Sequence, residues 1–400
     1  MQKKILLLGG SAQQIIAIET AKRLGYYTVL CDFLTDNPGQ HYADRFYLVS
    51  TTDKEKVLDV AQKEQISGVL AYASDPAAPT AAYVAEQMGL PGNPYDAVCT
   101  LCNKDRFRQF LSENGFHTPR AERFQSVDEA LDGAKGLDLP VIVKPVDSSG
   151  SKGVTVLRSF DKLNTAAEFA LRFSRCKTAI VEEFIEKKHP YLIGGDIFVY
   201  EGQVLVWGLL NCHRDPKVNP LVPVGKSYPL ALDSQDAKAV RQTLQTLIDK
   251  LQIRSACMNL ELIIDSQDRV FPIDIGPRAG GNMIPDLLSM IFGVDLVEMS
   301  VKAAMGQPVT EKIVRGEDHS YYATYNLHSV KDGIYKGLSI SEEIESFVIE
   351  KHIYMQEGDS VEFFSDASKA IGIIFLRFDS LRSLHTMLSC IDDHIQVIVE

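Results

Sequence analysis

The sequence predicts a multidomain chain of α/β and α+β units, opened by a Rossmann-like domain and closed by a small α+β piece. Three observations carry that prediction. Between residues 5 and 88, short aliphatic or β-branched runs alternate with stretches of helical period, the pattern of a mainly parallel sheet. The first run ends in Gly9-Gly10, the end of the strand at which such sheets place ligands. Further on, from residue 141, runs come in pairs joined by small or polar residues and read as hairpins.

Composition sets the frame. Four hundred residues suffice for two or three domains, each with an ample core. With 45% hydrophobic and 24% charged residues and a single Trp, the balance is that of a soluble globular protein. A formal net charge of −12, with no Lys/Arg run against it, argues against a nucleic-acid partner, so a local cluster must hold any anionic ligand. No apolar stretch is long enough for a membrane span, and Ile5 to Leu8 is too short for a signal-peptide core. The seven cysteines are odd in number and scattered, which fits a reducing, cytoplasmic setting. Cys99 and Cys102 make one C-x-x-C without a second pair or nearby histidines, so they read as structural rather than zinc-binding.

In chain order, a strand at 5–8 leads through the glycine turn to a helix over about 14–24, capped by Gly25. A second strand, Tyr27 to Cys31, ends at Asp32, an acid that would suit a ribose hydroxyl. No third glycine follows Gly10 at the G-x-G-x-x-G spacing, so NAD binding is not expected. Strand, helix, strand and helix follow at about 46–49, 53–65, 68–72 and 78–88, before a Pro/Gly-rich boundary at 89–94. A helix over about 104–114 is closed by Asn114-Gly115, and Ser126 to Glu129 is a capping box for another. Beyond a hairpin at 141–157 come a helix over 161–174 capped by Asp161, strands at 179–185, 194–200 and 203–210, and a helix over 233–250. Residues 211–229, with four prolines and little periodicity, read as a long loop of the kind that often carries function. The remainder reads as strands near 320–328, 347–354 and 371–378 and a helix over about 380–391, a structural buttress.

Two stretches carry chemistry. Val141 to Val143 delivers Lys144, Pro145 stops regular pairing, and Asp147 to Gly153 forms a small, polar tip before the strand Val154 to Leu157. Its N–H groups, hydroxyls and lysines can fold over phosphate oxygens; the same composition also suits an ordinary mobile hairpin. It is not a P-loop. The second stretch is a pair of strands, Asn259 to Ile264 and Phe271 to Gly276, joined by the turn Asp265 to Arg269. Symmetric pairing sets Glu261 opposite Asp274 and Asn259 opposite Gly276, with Leu260, Leu262 and Ile264 matched to Phe271, Ile273 and Ile275. Opposed carboxylates repel unless something neutralises them, and Mg²⁺ is the economical choice. Pro272 points instead to an edge strand or a bulge, in which case both acids are simply solvated. Pro277 to Ile284 then offers N–H groups ahead of a helix at 285–292, an anion site.

Together these residues resemble the ATP-grasp superfamily, ordered as in its biotin carboxylase, purine-ligase and carbamoyl phosphate synthetase-like branch. Asn103-Lys104-Asp105 resembles the segment of the first phosphate-binding lysine. Lys144 with Ser148, Ser149, Gly150, Ser151 and Gly153 resembles the second lysine and the lid over the phosphates. Glu182, Glu183, Phe184 and Ile185 resemble the strand that holds adenine, with backbone bonds at Glu183 and Ile185; Glu186 and His189 are the candidates for the ribose. Asn259-Leu260-Glu261 and Ile273 to Arg278 resemble the two metal-ligand segments. The resemblance implies a Rossmann-like pre-ATP-grasp domain at 1–94 and an ATP-grasp domain of two α+β subdomains at 95–310, its lid at about 118–185. A small C-terminal α+β domain at 311–400 completes it. It also implies ATP, with Mg²⁺ (or Mn²⁺) on Glu261 and Asp274, and Lys144 and Arg278 in catalytic roles. One departure stands out: Asp274-Ile-Gly276-Pro-Arg278 replaces the usual Glu-Ile-Asn-Pro-Arg, and Asn259 is expected to fill the place of the missing amide.

The activity implied is an ATP-dependent carboxylate–amine (or carboxylate–thiol) ligase that passes through an acyl phosphate and releases ADP and phosphate. Alternatives are a bicarbonate-activating carboxylase, a nucleotide-binding regulatory module, or an oxidoreductase using Gly9, Gly10 and Asp32. The partners implied are a small carboxylate and an amine, no nucleic acid and no membrane, with a homodimer as the assembly considered. Gly10, Ser11, Asp75 and the 211–229 loop, where His213, Arg214 and Lys226 could meet an anion, are the candidate substrate contacts.

Overall fold

The computed structural model describes residues 2–311, 313 and 321–400. It opens with a parallel sheet of β1 (Lys4–Leu8), β2 (Tyr27–Asp32), β3 (Arg45–Leu48) and β4 (Gly68–Leu70), in the order β3-β2-β1-β4. A parallel sheet must be covered on both faces. Ile5 and Leu7 pack with Ala17 and Ile18 of the helix Ile15–Arg23, while Leu6 and Leu8 pack with Val57 and Val84 from the helices Lys54–Glu64 and Ala78–Met88. Gly25 adopts φ +83° just past the first helix, the left-handed conformation that a helix stop favours. Sequence reading missed a helix, Tyr95–Leu101, which carries Cys99, with Cys102 capping its end. Burial pushes both thiols up, and Cys102 donates to the Asp75 carbonyl.

A second sheet is antiparallel: β5 (Ala121–Phe124), β6 (Val141–Pro145), β7 (Thr155–Leu157) and β8 (Ala179–Glu183), ordered β5-β8-β6-β7. The helices Val127–Gly133 and Leu163–Phe173 bury Ala130, Ala166 and Ala170 against it. Ser126 caps the first as expected. Asp161 does not cap the second: it lies inside a 3-10 turn, Phe160–Lys162, where it accepts from the Ser159 hydroxyl at 2.9 Å, and the α-helix starts only at Leu163.

Among the described residues, the central sheet has eight strands. They are β9 (Leu192–Tyr200), β10 (Gln203–Arg214), β11 (Pro223–Tyr228), β12 (Ala256–Ile264), β13 (Val270–Gly276) and β14 (Tyr321–Leu327), with β16 (Val348–Ile353) and β18 (Gly372–Phe378). Their order is β13-β12-β9-β10-β11-β14-β18-β16. The expected loop at 211–229 is therefore mostly strand. Its prolines fall in the 215–222 turn, at the first residue of β11 and just after its last, where no ladder N–H is lost. One sheet face packs Ile197, Leu260 and Leu262 on the helix Ser234–Leu251. The other packs Phe198, Leu210 and Phe375 against the helix Ile284–Phe292. The strands expected after residue 311 join this same sheet through β11 and β14; Ser320 lies outside the described residues. A three-stranded sheet of β15 (Gly333–Ile340), β17 (Ser360–Val361) and β19 (Ile395–Val399) was not foreseen, and the last long helix is Leu381–Ser389.

Candidate active site

β12 and β13 pair with Asn259 opposite Gly276 and Glu261 opposite Asp274, the register expected from the turn. Past that pair the ladder slips, so Leu262 faces Pro272 and Ile263 faces Phe271. This bulge puts Val270, not Phe271 and Ile273, on the face packed against the Ser234–Leu251 helix with Ile275. Because β13 is the edge strand, Pro272 costs no ladder bond.

Cations converge on the carboxylate pair. Lys104 opens the helix Lys104–Glu113 behind its cap Asn103. Its Nζ lies 3.3 Å from Asp274 Oδ2 and donates to the Ser148 carbonyl at 3.0 Å. Desolvation pushes the Asp274 carboxyl up, but Lys104, Lys144 and Arg108 outweigh it and hold the group below the usual carboxylate range. Lys144, 5% exposed, pairs with Glu182 on the neighbouring strand. Arg108 grips the same carboxylate through Nε at 2.8 Å and Nη2 at 3.2 Å, and Nη2 also donates to the Ile273 carbonyl at 2.8 Å. Burial raises the Glu182 carboxyl, yet the two cations win and hold it at about 2. Its side chain is thus a strut that holds Lys144, and is not free for adenine. Sequence reading missed Arg108, although it stands four residues after Lys104 and so shares a helix face with it.

The lid tip is held at both ends. Asp147 accepts from the N–H groups of Arg175 and Cys176 at 3.2 and 3.0 Å. Gly150, Ser151 and Gly153 take positive φ, and a Cβ on Gly153 would lie 2.8 Å from Phe173 and Pro145. Ser148 and Ser149 lie between the anchored base and Gly150. At the apex, the Ser151 hydroxyl donates to the Leu221 carbonyl at 3.0 Å in the 215–222 turn. At the end of β8, the N–H groups of Glu183 and Phe184 are taken by the carbonyls of Arg120 and Pro140, so the Glu183 backbone can offer only its carbonyl. Phe184 and Ile185 follow half-buried, and His189 Nε2 accepts from the Ile264 N–H at 3.4 Å, its pKa lowered by burial.

Arg278 pairs with Asp75 and donates to the Ala279 carbonyl at 3.0 Å. A Cβ on Gly276 would lie 2.6 Å from Asp75 Oδ1, so the missing side chain is what lets Asp75 reach Arg278. Asn259 turns its amide nitrogen to Gly195 O at 3.2 Å and to Asp196 Oδ1 at 2.8 Å. Asp196 is wholly buried, accepts also from Gly280 N at 2.7 Å, and has its pKa raised by that burial. A lone acid in an apolar strand was the signal for it in the sequence.

Arg214 reaches Glu261 at 3.3 Å. Lys226 lies on the same sheet face, whereas His213 points to the opposite one, against Tyr191 and the Ser227 hydroxyl. Asp32 accepts from Gly10 N at 2.7 Å, so it is spent on the glycine turn rather than open to a ribose. Glu261 and Asp274 offer hard oxygen donors suited to Mg²⁺, which takes one or two carboxylates and completes its shell with phosphate and water. Among the described residues no group of three or more His, Cys, Asp or Glu could hold a metal alone, so a cation here would depend on phosphate oxygens. Among them, too, no helix is long and apolar enough to cross a membrane.

Residues 103–312 match the model of the family described as carbamoyl-phosphate synthase L chain, ATP binding domain. The formate-dependent phosphoribosylglycinamide formyltransferase of Synechococcus sp. (strain WH7803) is 25% identical over 347 residues, 81% of this chain and 84% of that one. Among solved structures, an L-amino acid ligase from Bacillus licheniformis aligns with TM-score 0.81 at 20% identity, covering 100% of this chain and 99% of that one. A phosphoribosylglycinamide synthetase from Anaerococcus prevotii aligns with TM-score 0.77 at 21% identity over 100% of both. Likeness at such identity establishes the fold alone. The family match spans just over half of the chain, and the protein belongs to the carbamoyl-phosphate synthase L chain, ATP binding domain family of ATP-grasp ligases.

Proposed function

We propose that the protein joins a small carboxylic acid to an amine (or thiol), activating the acid with ATP as an acyl phosphate. The observation that carries this reading is that Lys104 meets Asp274 of the Glu261–Asp274 pair while Lys144, held by Glu182, adds its charge to the same carboxylate, beside the anchored glycine-rich tip. In this reading Lys104, Lys144 and the Ser148–Gly153 backbone hold the phosphates. The Glu183 carbonyl and Ile185 receive adenine, with Phe184 beside it and His189 toward the ribose. Glu261 and Asp274 would hold Mg²⁺ (or Mn²⁺), which when bound offsets charge on the phosphates.

The acid's carboxylate oxygen attacks the γ-phosphorus in line, and the bond to ADP breaks with ADP leaving. The amine then attacks the acyl carbon; the C–N bond forms, the C–O bond to phosphate breaks, and the amine's proton leaves to solvent. Arg278, which pairs with Asp75, would steady the acyl phosphate and the tetrahedral oxyanion. The layout that accompanies this chemistry is a Rossmann-like unit at 1–94, an ATP-grasp unit at 95–310 with its lid at about 118–185, and a C-terminal unit at 311–400.

ADP release from Mg-ATP with pooled carboxylic acids, each with and without pooled amines, tests the proposal. ADP that appears only when an acid and an amine are both present supports it. Mg-ATP binding without ADP release from any pool sinks it in favour of a regulatory module. A strict bicarbonate requirement would point to the carboxylase variant instead.

A further inference from the structure

On the sheet face that carries Glu261, three polar groups in two adjacent rows are incompletely paired among the described residues. Lys226 is only 7% exposed, and no carboxylate among the described residues forms an ion pair with it; its ammonium rests on the Cys212 thiol. A lysine buried without a counter-ion is costly. It lies over β9, because a Cβ on Gly194 would come 2.8 Å from its Nζ, and Gly194 is the direct neighbour of Glu261 in register. Glycine at 194 is therefore what opens a path from β11 across to the carboxylate pair.

In the next row, Arg214 faces Pro223, and the Pro223 carbonyl accepts from Asn326 Nδ2 at 2.9 Å. That bond fixes the orientation of the amide, since the flipped form would set two acceptors together. Asn326 is 2% exposed and its Oδ1 has no hydrogen-bond partner among the described residues; the buried Nη1 of Arg214 has none either. One cation, one donor and one acceptor thus await the same visitor. A plain carboxylate satisfies Lys226 and Arg214 but not an orphaned acceptor, which needs an N–H or O–H.

We infer that the activated acid is an α-amino or α-hydroxy acid, its carboxylate held by Lys226 and Arg214 and its α-donor by Asn326. This rests on the ligase reading above, whose reactive carboxylate must lie within reach of the phosphates at Glu261 and Asp274.

The test uses the full chain with Mg-ATP and hydroxylamine, which captures acyl phosphates as hydroxamates whatever the natural amine. Three acid pools are compared: the twenty L-amino acids; lactate, glycerate and malate; and formate, acetate, propionate and bicarbonate. ADP and hydroxamate are expected from the first pool or the second, and their split tells amino from hydroxy acid. In Lys226→Met, half-saturation by the productive acid should rise about tenfold or more while that for Mg-ATP holds, with partial rescue in Lys226→Arg. Asn326→Leu should lose most of the preference for that acid over its analogue without the α-donor. Equal use of the third pool overturns the inference and leaves the ligase standing, as does a Lys226→Met effect confined to Mg-ATP. Mg-ATP binding without ADP or hydroxamate from any pool removes the ligase reading, and this inference with it.

Discussion

Two charged regions flank the Glu261–Asp274 pair, and they are built on opposite principles. On the lid side, Arg108, Glu182 and Lys144 form a charge-compensated set in which a buried carboxylate is gripped by two cations from two elements, with only Arg108 Nη1 left without a partner among the described residues. On the β10–β11 side, Lys226 and Asn326 are buried with Arg214 half-buried beside them, and all three are incompletely paired. The first arrangement keeps a lysine in one place whatever is bound. The second stores its unmet hydrogen bonds for a ligand. A binding site for a common nucleotide can be wired in advance, whereas selection among acids needs groups that only the right acid satisfies.

The largest expected effect is on turnover. Lys144→Ala and Glu261→Ala should each reduce ADP release by about two orders of magnitude or more, since both remove charge stabilisation from the transferring phosphoryl group. Far-ultraviolet circular dichroism and thermal melts should show the folded state kept. Near-normal ADP release from either variant removes these residues from the phosphate site.

Breaking the charge-compensated set itself should cost stability. Glu182→Gln leaves Arg108 and Lys144 buried without a counter-charge, and loss of one partner from a buried pair costs about 3–5 kcal/mol. Urea unfolding measures it; a loss under about 1 kcal/mol would mean that the set is not a strut. The pH dependence follows from the same geometry. The folded Glu182 carboxyl sits at about 2, below its unfolded value, so its contribution is present above the ordinary carboxylate range. It fades as pH falls toward 2, and the Gln variant should lack that part of the acid loss. His213 adds a second window. Burial holds it at about 4, so it folds neutral, and acidification from about 6.5 toward 4 favours the unfolded, protonated form. His213→Gln should flatten the stability profile in that window; an unchanged profile would mean that the imidazole is freely solvated.

Much of the lid side was legible in the sequence, because its signals are local. The turn between β12 and β13 set the Glu261–Asp274 register by counting, and small residues between two β-branched runs announced the hairpin tip. The β10–β11 side was not. Four prolines hid a strand pair, because proline is silent about strands when it falls in turns and at strand ends. Asn326 comes from a strand distant in sequence, and no local pattern brings it beside Arg214. The bulge at Ile273 escaped for a similar reason: Pro272 announced an irregularity but not its place. Gly276 looked like a weakened metal motif in sequence; its reason, the approach of Asp75, exists only once β4 and β13 are assembled.

That last point yields a smaller prediction. Gly276→Asn restores the commoner family residue but drives a side chain into Asp75 Oδ1, so the Asp75–Arg278 pair must open. Turnover should fall about tenfold or more while Mg-ATP binding holds, because the arginine loses its fixed position and the phosphate cluster does not. Calorimetric titration with Mg-ADP separates the two. A gain in turnover would mean that the amide is missed at the metal site and that Asp75 is dispensable.

The smallest effect bears on the join between the two regions. Lys152 at the lid tip lies 4.0 Å from Asp366, whose side chain also caps the 3-10 turn Ala367–Lys369. A half-buried pair at that distance contributes little, about 0–1 kcal/mol. Lys152→Gln should therefore change half-saturation by Mg-ATP only about twofold, and less as salt rises. Ser151→Ala removes the shorter bond to Leu221 and should do somewhat more. If Lys152→Gln proved the more damaging, the lysine would be touching the nucleotide rather than Asp366, and the phosphate cluster would gain a third cation. A null result from both would mean that the lid closes on its own packing, with the 215–222 turn only a neighbour.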